Sequence, residues 1–381
     1  MHPRLKTLFA AACLALAVSG AALAQPIKIA TIVELSGAGA TSGTNFKDGV
    51  DQAIKEINAA GGILGRQIQN TVADTQSNPG VAKGLATKAV DDGVFAVFGP
   101  VFSGSILVSM AETRRAEVPN FTGGEAAAIT KQGNPYIFRT SFTQDTAMPK
   151  AARYIANNLK AKTVALIYVN NDFGKGGRES LMKSLAPLGV SVSADISTEQ
   201  SQVDFSAAVL RAKQSNADVI FVYTNEEESA RALRELRKQG VTKPIVGETV
   251  LTSQKVIELA GEAANGAVAH VGLTVDAPIP GVRAFRARFE KAYKYTPDHN
   301  GVKGYTGVYI MKAAIEKVGK LDRKAVAQAL HGLKVSAAKE PGVIMDVSID
   351  ANGDLDRESF LVEARNGKQE IKEILPALGT K

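Results

Sequence analysis

Between Val33 and Phe46 the chain reads VELSGAGATSGTNF. IKIAT (27–31) precedes it and reads as a strand, and the amphipathic stretch GVDQAIKEINAAGG (49–62) follows and reads as a helix. Strand, glycine-rich turn and helix in that order is the local form of a phosphate-binding loop. The spacing argues against one. The glycines stand at Gly37, Gly39 and Gly43, so the third is one place late for a dinucleotide site. The acidic residue that ends the next strand, Asp74, lies well beyond the roughly 20 residues such a site uses. No Gly-Lys-Ser/Thr follows, which excludes a P-loop. The stretch reads instead as a βα loop of small residues at the carboxyl end of a first strand, and such loops line the crevice of an open parallel sheet. Ser36, Ser42 and Thr44 supply hydroxyls there without bulk.

Outward from this loop, strand and helix patterns alternate. RQIQNTVAD (66–74), VFAVFGP (94–100) and VPNFTG (118–123) read as strands, with alanine-rich amphipathic stretches between them. A second series begins near Asp145 and runs through the strands TVALIYV (163–169), VSVSADI (190–196), DVIFVYT (218–224) and PIVGE (244–248). Regular βα alternation in two series predicts an α/β protein of two doubly wound, Rossmann-like lobes. The tail differs. Three helical stretches (280–294, 301–319 and 323–333) precede two strand pairs, and Asn352-Gly353-Asp354 marks a turn. The acidic DANGD (350–354) lacks the ligand series of a calcium loop and reads as that turn.

The first residues form a secretory leader, with Arg4 and Lys6 ahead of the apolar run Leu8–Val18 and a small-residue cleavage site ending at Ala24. Its apolar run is too short to span a bilayer. The chain's one cysteine, Cys13, lies inside that run, so the mature protein is expected to carry no disulfide, thiol nucleophile or thiolate metal site. The net charge is +7, and loss of Arg4 and Lys6 with the leader lowers it by two. The excess is scattered: its densest patch, RALRELRKQG (231–240), has the leucine spacing of a solvated amphipathic helix. With no tryptophan and few aromatics, nucleic acid is not an expected partner. The mature histidines His270, His299 and His331 are dispersed, and no G-x-S-x-G elbow accompanies them, so no metal, cofactor or catalytic residue is expected.

A second small-residue loop, FGPVFSGS (98–105), places Ser103 where a strand turns into a helix. The first N–H groups of a helix lack internal partners and lie at the positive end of its dipole, so a serine there serves a carboxylate or simply caps the helix.

Taken together, IKIATIVELSG (27–37), AIKEINAAGGILGR (53–66), FGPVFSG (98–104), PYIFRTSFTQD (135–145), YVNNDFGKGG (168–177) and GEAANGAVA (261–269) resemble the periplasmic branched-chain amino-acid-binding proteins of ABC importers, over nearly the whole mature length. The resemblance implies the type I periplasmic fold, with three crossovers between lobes near Phe142–Asp145, Gly272–Asp276 and Met345–Ile349. One lobe would hold 25–142 and 273–345, the other 143–272 and 346–381. It implies no enzymatic activity, a periplasmic location, a small-molecule ligand, an inner-membrane permease as partner and a monomer. Ser103 matches the serine on the ligand's α-carboxylate, and its neighbour Phe102 is taken with it. Glu248 matches the acid that meets the α-amino group, and Gly123 a backbone carbonyl on that group. Four positions depart from the family. Glu125 stands where a threonine contacts the amino group, Phe173 where a tyrosine is usual, and Asn225 and Ser42 near two further tyrosines, with Glu226 the alternative to Asn225. The expected ligand is a small amino acid or related zwitterion. The alternatives are an amine-free carboxylate or an amide in the same role, and presentation of ligand to a membrane sensor. A secreted hydrolase is a third class, which a turnover screen would expose.

Overall fold

The computed structural model describes residues 25–377; the leader lies outside this range. The first sheet is parallel and contains β1 (Ile27–Val33), β2 (Ile68–Asp74), β3 (Ala96–Phe98), β4 (Asn120–Thr122) and β5 (Ile137–Arg139), in the order β2-β1-β3-β4-β5. The second holds β6 (Thr163–Val169), β7 (Ser191–Thr198), β8 (Val219–Tyr223), β9 (Ile245–Glu248) and β10 (Val268–Val271), paired in parallel. A small antiparallel sheet follows, of β11 (Lys334–Val335), β12 (Val347–Ile349) and β13 (Leu355–Asp356). Finally β14 (Ser359–Arg365) and β15 (Lys368–Leu375) extend the second sheet antiparallel beside β10, giving β15-β14-β10-β9-β8-β6-β7. The inner strands β6 and β8 are near-continuous apolar runs because helices cover both of their faces.

The helices are α1 (Ala40–Ala59), α2 (Pro79–Asp91), α3 (Ser103–Arg115), α4 (Gln144–Arg153), α5 (Asp172–Leu185), α6 (Ser206–Gln214), α7 (Glu226–Lys238), α8 (Gln254–Ala260), α9 (Pro280–Tyr293), α10 (His299–Val318) and α11 (Arg323–Leu330). The chain leaves the first sheet between β5 and α4 and returns between β10 and α9, whose Phe285 and Phe289 join the core beneath β1. It leaves again between β13 and β14. That third passage lies beyond the Met345–Ile349 stretch expected from the resemblance. β12 and β13 stay with the first lobe because their turn is anchored there: the buried Arg139 bonds Asp354 through Nε (2.7 Å), and its backbone N–H donates to Gly353 O (2.8 Å). No helix among the described residues is long and apolar enough to cross a membrane.

The glycine loop that opened the sequence question has a packing role. A Cβ on Gly43 would stand 1.9 Å from the backbone oxygen of Glu34, so α1 can lie against the end of β1 only with glycine there. Gly43→Ala is expected to lower the unfolding free energy by about 2 kcal/mol, the usual scale of overpacking. Urea titration checks this, and unchanged stability would mean that α1 has room to shift.

Candidate functional site

A cavity of about 190 Å³ lies where the carboxyl ends of the two parallel sheets meet. Ser42, Phe102, Ser103, Gly123, Glu125, Phe173 and Asn225 all line it, and so does Glu226. Glu248 is not among its lining residues; it is buried at the end of β9. The convergence follows from topology, since each lining loop leaves the carboxyl end of a strand.

From the first lobe, the loop before α3 is held by Glu34 at the end of β1. Its buried carboxylate accepts the N–H groups of Val101 (3.0 Å) and Phe102 (3.2 Å). Burial raises the pKa of Glu34, against those hydrogen bonds. Ser103 does not cap α3, because Phe102 occupies the cap position. Instead Ser103 Oγ accepts the N–H of Ala126 (3.2 Å), which leaves the hydroxyl hydrogen free to donate into the cavity.

Glu125 is buried, not a solvated loop residue. Lys303 Nζ, itself buried, lies 3.0 Å from Glu125 Oε1 and 3.3 Å from the carbonyl of Gly123. Burial, and then the charge of Glu248, push Glu125 up to about 7, with Lys303 opposing. Glu248 Oε1 accepts Thr249 Oγ1 (2.5 Å) and lies 3.3 Å from His270 Nδ1. Burial lowers His270 to about 3, so the imidazole is neutral and this contact is a hydrogen bond, not an ion pair. Glu248 therefore sits behind Glu125 and acts on the cavity through it.

From the second lobe come α7 and the loop before α5. Ser42 Oγ on α1 donates to Glu226 Oε1 on α7 (2.6 Å), a buried hydrogen bond that spans the two lobes. Glu226 and Asn225 both line the cavity. Asn225 is fixed at the start of α7 by Glu228, whose carboxylate accepts its backbone N–H (3.1 Å). Phe173 stacks on Tyr223 with ring centroids 4.2 Å apart, a flat apolar wall.

The sequence reading found the helix of α10 but not its place at the cavity. Its first turn brings His299, Asn300 and Lys303 to the cavity. Glycines let α10 press on α1: a Cβ on Gly304 would stand 2.1 Å from Phe46 O. A lysine among small and apolar residues in NGVKGYTGVYI (300–310) was the available signal, since a buried lysine requires a partner. Asp298, the cap of α10, is pushed up to about 7 by burial and the charge of Glu226.

Residues 26–369 match the family model described as periplasmic binding protein. The Leu/Ile/Val-binding protein BraC3 of Rhizobium johnstonii is 30% identical over 361 residues, covering 93% of this chain and 96% of its own length. Among solved structures, the branched-chain amino acid transporter substrate binding protein LivJ from Streptococcus pneumoniae, in complex with isoleucine, superposes with a TM-score of 0.84 at 27% identity, covering 92% of this chain and 99% of its own. An ABC transporter solute binding protein from R. palustris, in complex with benzoate, superposes with a TM-score of 0.85 over 93% of this chain and 98% of its own; at 21% identity it speaks for the fold alone.

Proposed function

Because this chain belongs to the periplasmic binding protein family, we propose that it is the solute receptor of an ABC importer and closes its lobes on a small amino acid of the branched-chain type or a related zwitterion. It is not an enzyme: the family's members bind solutes for ABC transporters. The observation that carries the reading is the cavity between the lobes, into which Ser103 from one lobe and Glu226 from the other project hydrogen-bonding groups. A ligand touching both lobes is fully bonded only when they are closed, so it raises the closed population by its differential affinity. The closed monomer is then the form that an inner-membrane permease reads.

A second reading is favoured by Lys303. Its ammonium occupies the Gly123 carbonyl and Glu125, the positions that the resemblance assigns to a ligand's amino group, so an amine-free carboxylate fits the same cleft. Isothermal titration with L-leucine and with 4-methylpentanoate separates the two. Under the zwitterion reading leucine binds and its deaminated analogue binds at least tenfold more weakly; the reverse order promotes the amine-free reading. In either case Ser103→Ala is expected to weaken carboxylate binding by about 1–3 kcal/mol, the scale of one hydrogen bond to a charged group. Unchanged affinity would remove Ser103 from the site.

A further inference from the structure

On α10, Asn300 is 1% exposed and lines the cavity. Neither its Nδ2 nor its Oδ1 has a hydrogen-bond partner in the protein, so the conclusion does not depend on which way the carboxamide is turned. Its backbone N–H is satisfied by Asp298 Oδ1 (2.7 Å), which fixes the residue at the helix start and leaves only the side chain unpaired. Buried polar side chains are nearly always bonded, and an unpaired donor and acceptor together are costly.

We infer that Asn300 reads the ligand, and that the ligand presents to it a group that donates and accepts hydrogen bonds in one plane, a carboxamide. An aliphatic branch would leave both atoms unpaired. A carboxylate would pair with Nδ2 but set a negative oxygen against Oδ1, in a cavity that Glu125 and Glu226 also line. An ammonium would pair with Oδ1 and repel Nδ2. A carboxamide satisfies both atoms and adds no charge to a wall already crowded with acids. This inference rests on the receptor reading above, with a carboxylate end held near Ser103; within that reading it takes an amide-bearing ligand in place of a branched-chain side chain.

Four probes test it: L-asparagine and L-leucine, which differ in a carboxamide against an isosteric pair of methyls, and their deaminated forms, succinamate and 4-methylpentanoate. Titration of the mature protein is expected to show the amide member of each pair binding at least tenfold more tightly. Asn300→Leu, close in shape and unable to hydrogen-bond, is expected to abolish or reverse that preference. The inference is overturned by an alkyl member that binds as well as its amide, or by an amide preference that survives Asn300→Leu. Circular dichroism checks that the variant folds; should it not, Asn300→Asp carries the test, because it loses the N–H₂ donor and must lose part of the preference. Comparison of asparagine with succinamate decides the amino-group question separately. Binding of none of the four would overturn the small-carboxylate reading and this inference with it.

Discussion

Lys303→Met is expected to lower the unfolding free energy by about 4 kcal/mol at pH 8, the range seen when one partner of a buried ion pair is removed. Lys303 is 6% exposed, and its Nζ lies 3.0 Å from Glu125 Oε1. Without it, two buried carboxyl groups, Glu125 and Glu248, act on each other with no cation between them and bulk water. The loss should shrink below pH 6, where Glu125 escapes by taking up a proton. Adding Glu125→Gln to Lys303→Met should restore most of the stability at pH 8, and the double-mutant cycle then gives the coupling directly. Urea unfolding of the four proteins at pH 5.5 and pH 8 is the measurement. A loss that is the same at both pH values would show that Lys303 acts through packing and not as the counterion.

The second large effect is a pH dependence of the unaltered protein. Glu125 rises from its ordinary 4.5 to about 7 in the folded state, through burial first and the charge of Glu248 second. A carboxyl whose folded pKa is raised holds its proton more tightly when folded. Its contribution is fully present below pH 4.5 and is lost as the pH climbs through about 7. At 1.36 kcal/mol per unit the contribution reaches about 3 kcal/mol. Glu125→Gln removes it, so the stability of the wild type relative to this variant should fall by about 3 kcal/mol between pH 5 and pH 8. Asp298, also raised to about 7, adds a slope of the same sign, and Asp298→Asn isolates it. Parallel stability curves for wild type and Glu125→Gln would show that Glu125 is ionised throughout this range.

Both effects arise at residues of unequal legibility. Local periodicity fixes how a stretch folds, because the side-chain repeat of a strand or helix is written in consecutive residues. For that reason TVALIYV could be read as a buried strand and GVDQAIKEINAA as an amphipathic helix, and two βα series could be read as two parallel sheets. The carboxyl-end rule of such sheets then places loop residues such as Ser42 and Ser103 near a crevice, and the family resemblance adds Gly123 and Asn225.

What the periodicity leaves open is which distant segment closes that crevice. Lys303 and Glu125 are separated by 178 residues and Ser42 and Glu226 by 184, yet each pair is hydrogen-bonded. α10 is, in sequence, one more amphipathic helix of the tail. Only its packing on α1, through glycines at backbone contact, turns Asn300 and Lys303 into the cavity. The same holds for Glu248, whose place at the end of PIVGE was legible while its position behind Glu125 was not. Charge and hydrogen-bond satisfaction depend on three-dimensional neighbours. The sequence by itself therefore determined the fold class, the family and part of the cleft wall. The tertiary structure alone decided which buried groups are paired, which carboxyls hold their protons, and that Asn300 is left for the ligand to complete.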